Sequence, residues 1–120
     1  MAYSLSNRAE KFFLRGDYVQ AETYYKKALA IREQNLGVDH PHTASTYHNL
    51  ARFYSALERY EEAELFYHKA LSSRERTFGP DHPAVADMLE QYAVLLRKLQ
   101  REREARIQAI RAGQPTLEDR

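Results

Sequence analysis

Aspartate stands directly before histidine twice in this 120-residue chain, at Asp39-His40 and Asp81-His82, and each pair is closed by a proline, Pro41 and Pro83. A carboxylate next to an imidazole is the raw material of metal ligation and of proton transfer. The spacing argues against both. The two histidines are 42 residues apart, each where a helix should begin, and helix starts a whole structural unit apart are too distant to share one ion. His42 adds only a weak chelating pair with His40, and His68 is expected to face solvent on a helix. There is no cysteine, hence no thiolate ligand, and there is no serine-nucleophile motif, HExxH or glycine-rich phosphate loop. The expectation is a chain that is not an enzyme and needs no cofactor or metal. A metal-binding reading of the histidine linkers would require a bound ion that survives dialysis.

The same 42-residue offset organises the rest of the chain. It superposes Asn7 on Asn49, Ala9 on Ala51, Tyr18 on Tyr60, Ala21-Glu22 on Ala63-Glu64, Tyr25 on Tyr67, Lys27-Ala28-Leu29 on Lys69-Ala70-Leu71, Arg32-Glu33 on Arg74-Glu75 and Gly37 on Gly79. A fixed period of this size marks a stack of supersecondary units, each too small to bury its apolar face alone. Apolar residues at helical spacing predict helices over 2–14, about 17–35, 41–56, 60–77, 83–99 and from about 101 to 112. Asp17 is a natural N-cap, Gly16, Gly37 and Gly79 stop helices, and Pro41 and Pro83 suit a first helical turn. Proline also pushes the residue before it out of the α region, which makes His40 the expected N-cap. These six helices pair into three hairpins, repeats of about 2–37, 41–79 and 83–113, forming a single domain over 1–113. The polar stretch 114–120 is expected to be a frayed or disordered tail.

The composition supports a folded interior. The chain is 43% hydrophobic and 29% charged, the balance of a globular domain rather than a disordered one. Eighteen basic and seventeen acidic residues nearly cancel, so bulk electrostatics recommend neither nucleic acid nor an anionic membrane surface as partner. No signal-peptide pattern opens the sequence, no apolar run reaches the ~20 residues that cross a bilayer, and the absence of cysteine fits a reducing compartment. The protein is read as cytoplasmic. Ala9, Ala51 and Ala93 on the first helices, with Ala21, Ala63 and Ala105 on the second, allow close approach of backbones, and Phe12, Tyr25, Tyr54 and Tyr67 fill the space beside them.

The pattern Leu50-Ala51-x-x-Tyr54 followed by Tyr60-x-x-Ala63-Glu64-x-x-Tyr67-x-x-Ala70-Leu71 resembles the tetratricopeptide repeat. The linkers Leu36-Gly37-x-Asp39-His40-Pro41 and Phe78-Gly79-x-Asp81-His82-Pro83 are similar to those of its kinesin-light-chain class, whose repeat is longer than the usual 34 residues. The likeness covers Ala2 to Ala112. It implies an all-α fold, a helical-hairpin solenoid winding as a right-handed superhelix of three repeats of two antiparallel helices. The chain departs from the pattern at the turns, where Glu58 and Gln100 replace the glycine seen at Gly16, and at Arg8 and Glu102. A positive φ at such a turn would cost a non-glycine residue ~1–2 kcal/mol.

The resemblance also implies a function. In the family the first helix of each hairpin lines a concave groove that holds an extended peptide. Carried over by register, the groove positions include Tyr3, Asn7 and Glu10 of repeat one, His48, Asn49 and Arg52 of repeat two, and Glu90 and Gln91 of repeat three. Asn7, Asn49 and Gln91 would form a ladder of amides, each offering a donor and an acceptor to a peptide backbone. Arg52 is suited to hold a ligand carboxylate in a two-pronged bond, or else to pair with Glu10 or Glu90 across the groove. The expected function is a non-catalytic adaptor for a protein or peptide partner. The alternative is a self-association module forming homo-oligomers through the solenoid ends, where Ile107 and Ile110 make a second apolar edge.

Overall fold

The computed structural model describes residues 2–113, with side chains from residue 4 onward; the stretch 114–120 and the side chain of Tyr3 lie outside the described residues. Among the described residues the chain forms α-helices and no strand: α1 (Ala2–Leu14), α2 (Tyr18–Leu36), α3 (Pro41–Ala56), α4 (Tyr60–Phe78) and α5 (Pro83–Arg111). None of them is long and apolar enough to cross a membrane. The helices pack in chain order, α1 on α2, α2 on α3, α3 on α4 and α4 on α5. This is an all-α helical-hairpin solenoid, 51 × 36 × 22 Å in extent.

Each helix boundary has a local cause. Asp17 accepts a hydrogen bond from the Gln20 amide at 3.2 Å and caps α2. His40 and His82 take extended backbone angles and accept through Nδ1 from the amides of His42 and Ala84, both at 3.1 Å, with a proline at the first helical position. The imidazoles of the two linkers are therefore capping groups. His82 also stacks on Phe78 at 4.6 Å, which ties the end of α4 to the start of α5. The turn between α1 and α2 closes through Asp17 N to Phe12 O at 2.9 Å, with Gly16 at φ 81°. The turn between α3 and α4 repeats it, Arg59 N to Tyr54 O at 2.9 Å, but here Glu58 takes φ 60°. Glu58 thus bears the strain that its position implied.

The core is the small-and-aromatic stripe. Ala9, Ala21, Ala51, Ala63 and Ala70 are fully buried, and around them pack Tyr25, Leu29, Tyr47, Leu50, Phe53, Tyr54 and Tyr67. Tyr54 stacks on Phe66 at 5.7 Å and Tyr47 on the same ring at 6.3 Å, so α3 reads α4 through aromatic faces. The seam between repeats is held by polar clamps from α2 to α3. Tyr47 donates to Glu33 at 2.7 Å, Tyr54 donates to Glu22 at 2.5 Å, and the buried Arg32 donates to the His42 carbonyl at 3.2 Å and to Thr46 Oγ1. Burial, reinforced by the neighbouring carboxylate, holds both tyrosine hydroxyls well above their ordinary range.

The third hairpin is not formed. The turn expected near Gln100 and the sixth helix are replaced by one continuous α5 of 29 residues. The substitutions explain this. At the places held by Tyr18 and Tyr60, Tyr25 and Tyr67, and Leu29 and Leu71 on the second helices, this stretch has Glu102, Ala109 and Gly113. A folded-back helix would bury little apolar area, and a turn at Gln100 would need a strained residue. Continuing the helix costs neither, because residues 97–111 are rich in arginine, lysine, glutamate, glutamine and alanine. Gln100 donates to Glu104 at 3.0 Å and Arg106 pairs with Glu102 at 3.6 Å, both one turn along. As a result Ala105, expected at a close approach of backbones, is exposed and Ala93 is only half-buried, and Leu89 and Leu96 on the same helix are exposed. The inward face of α5 consists instead of Val85, Met88, Leu95 and Leu99, packed on α4.

Candidate functional site

α1 and α3 meet through Phe13 and Phe53, with residues of α2 between them. A cleft of about 590 Å³ opens between them. Its walls carry Ser6, Asn7, Glu10 and Phe13 from α1 and Ser45, Asn49 and Arg52 from α3, and its floor includes Tyr25 and Arg32 from α2. Ser6, Ser45 and Arg52 point into this shared space for one reason: residues three, four and seven apart on α1 and α3 stand on one helix face.

Four of the residues expected at the site, Asn7, Glu10, Asn49 and Arg52, are brought together here. Among the described residues neither amide makes a hydrogen bond, and Arg52 makes neither a hydrogen bond nor an ion pair. Its charge is nonetheless felt on every side. It favours the ionised forms of Tyr25 and Tyr67, whose hydroxyl pKa values burial raises, and it opposes protonation of His48. The guanidinium therefore sits centrally, between the two tyrosines of successive second helices. Glu10 stands across the cleft and acts oppositely on Tyr25. Ser6 Oγ is buried with no hydrogen-bond partner among the described residues.

The third rung of the amide ladder is placed differently. Gln91 does not line this cleft; its Oε1 lies 2.6 Å from His48 Nε2, so that with the amide oxygen accepting, the ring carries its proton on Nε2. Burial is the main cause holding His48 below the ordinary histidine pKa, with the Gln91 bond working the other way and Arg74 and Arg52 adding to the depression. Glu90 is exposed on α5 and lies outside the cleft, and the Tyr3 side chain is outside the described residues.

A second cleft of about 320 Å³ lies one repeat further on, among α3, α4 and α5, with Ser73, Arg74, Thr77 and Asp87 in its wall. Arg74 is the repeat equivalent of Arg32, but the partner hydroxyl of Thr46 has become Met88, and Arg74 makes no hydrogen bond among the described residues. Burial lowers its pKa and Asp87 opposes that. Among the residues of the first cleft that register alone did not mark are Tyr25, Arg32 and His42, which come from α2 and from the first turn of α3. The recurrence of Arg32 as Arg74 was the visible signal, but helix-face reasoning put second helices behind the groove.

Comparison with known families fits this geometry. The family model described as tetratricopeptide repeat matches residues 1–75 and, again, residues 51–112. The chain belongs to the tetratricopeptide-repeat family. Among solved structures, the crystal structure of BtubC (BKLC) from P. vanneervenii is similar at 27% identity and a TM-score of 0.72, with 81% of this chain and 38% of that chain covered. This tetratricopeptide-repeat chain thus spans well under half the length of that relative. No curated protein sequence matches it. Tetratricopeptide repeats serve protein–protein interaction, and stacking of repeats is what generates their extended concave surface.

Proposed function

We propose that this chain is a non-catalytic cytoplasmic adaptor and that the cleft between α1 and α3 holds an extended segment of a partner protein. The observation that carries the reading is the company kept by Arg52: among the described residues, a guanidinium with no carboxylate bound to it shares one cleft with two amides that have no hydrogen bond of their own. An extended peptide presents alternating N–H and C=O groups, and a side-chain amide can answer both at once. Two arginines and one glutamate in the wall and floor favour an acidic side chain or terminus opposite Arg52, with a basic position near Glu10.

The test is a peptide library screened side by side against the parent and Asn49→Ala. Removing the amide should weaken binding by about 1–2 kcal/mol, the worth of one or two hydrogen bonds, without lowering the melting temperature. Arg52→Ala should shift the selected peptides away from acidic residues. Equal affinities and unchanged selection in both variants would remove the proposal.

A further inference from the structure

Among the described residues, the face of α5 that corresponds to the α4-receiving face of α3 has no helix packed on it. Tyr47, Ala51 and Tyr54 are buried under α4, and the two tyrosines stack on Phe66. One repeat later the same places are Leu89, Ala93 and Leu96, and the two leucines are 47% and 42% exposed. The stripe then runs on past the packed part of the molecule to Ile107 and Ile110, 48% and 54% exposed. Carried through Gln100 and Arg103 between Leu96 and Ile107, its steps of three and four residues are the repeat of a helix that packs lengthwise against another helix. About 26 Å of α5, from residue 93 to 110, is available for that seam.

We infer that the occupant is the same stretch of a second copy, with the two α5 helices antiparallel about a two-fold axis near residue 101. Each copy then supplies the helix that the other lacks. In this register Ala93 faces Ile110 of the second copy and Leu96 faces Ile107, and the two-fold repeats both contacts. Gln100 faces Arg103 at the centre, a polar layer that a parallel pair would replace with Arg103 against itself. Charge along the edge selects the same register. Arg97 comes beside Glu104 of the second copy, and Glu90 beside Arg111, each pair again occurring twice. All four residues are exposed in the single chain, and Arg97 makes no hydrogen bond or ion pair among the described residues. The groove face of α5, which carries Gln91, lies on the other side of the helix, so the pairing leaves the peptide cleft open.

The short seam makes a concentration-dependent dimer with a dissociation constant on the order of micromolar. Sedimentation velocity on the full chain over a concentration series reads it directly, as a shift from 14.1 kDa to twice that mass. Ile107→Glu should abolish the shift. Arg97→Glu should weaken the dimer about tenfold by setting two pairs of like charges together, and adding Glu104→Arg should restore it to within about threefold. Residues 97 and 104 are two turns apart in one helix, too far to pair within a chain, so the rescue reports on contact between copies. Circular dichroism on each variant checks that the helices are intact. A monomer at every concentration, a dimer untouched by Ile107→Glu, or a charge reversal without rescue would overturn the inference.

Discussion

Replacing Glu58 by glycine should stabilise the protein. Glu58 holds φ at 60° in the turn between α3 and α4, where the equivalent turn between α1 and α2 has Gly16 at 81°. The two turns are otherwise the same structure: Glu58 N reaches Ser55 O at 3.0 Å as Gly16 N reaches Phe13 O at 3.0 Å. The Glu58 side chain is exposed and makes no hydrogen bond or ion pair among the described residues, so its removal loses no contact. The left-handed conformation costs a residue with a Cβ ~1–2 kcal/mol. Glycine relieves that cost but loses ~0.5–1 kcal/mol more chain entropy on folding. The net gain is ~0.5–1 kcal/mol. For a domain of this size that corresponds to a rise of ~2–4 °C in melting temperature. Differential scanning calorimetry on the parent, Glu58→Gly and Glu58→Ala measures it. The alanine variant keeps the Cβ and should gain nothing. A glycine variant that melts at or below the parent temperature would show that the turn is not strained in the way its φ implies.

Other substitutions probe the packing and the seam. Ala63→Leu forces a larger side chain into a site with no exposed surface between α3 and α4, and should cost ~1–3 kcal/mol in urea denaturation. Thr46→Val keeps the shape of the seam but removes the oxygen that Arg32 donates to, leaving a buried N–H short of one partner; a loss of ~1–3 kcal/mol is expected in the same assay. The hydrogen bond from Tyr54, ahead of the charges of Lys26 and Arg59 and against the opposing effect of burial, holds Glu22 below its ordinary pKa of 4.5. A depressed carboxylate contributes stability above pH 4.5 that is lost as pH falls through its lowered folded-state value, so Glu22→Gln should flatten the fall of melting temperature in that acid window. An unchanged acid slope would show that the seam does not depend on the carboxylate.

How much was legible beforehand differs from element to element. The starts of α2, α3 and α5 were readable because their causes are local: Asp17 can cap through its own side chain, and Pro41 and Pro83 constrain the histidines before them. The alanine and tyrosine stripe was readable because a helix repeats every 3.6 residues whatever it packs against. The placement of Asn7, Glu10, Asn49 and Arg52 on one surface followed from register, since equal units in a stack carry equal positions to one face.

Gln91 shows where register stops. Its place in the repeat is that of Asn7 and Asn49, but it is taken up by His48, from the neighbouring helix. Nothing within 91's own surroundings in the chain announces that, because the two residues are a whole repeat apart. The same holds for Arg32, whose length and charge suggest a surface residue until α3 supplies the His42 carbonyl and the Thr46 hydroxyl around it.

The amino-acid sequence alone determined the repeat, the caps and the identity of the faces, since each depends on residues within a turn or two of one another or on an exact period. Whether residues 101–111 would turn back or run on was left to the tertiary structure. A turn is made only when the area it buries exceeds the strain and entropy it costs, and with Glu102, Ala109 and Gly113 in place of two tyrosines and a leucine that balance favours the straight helix.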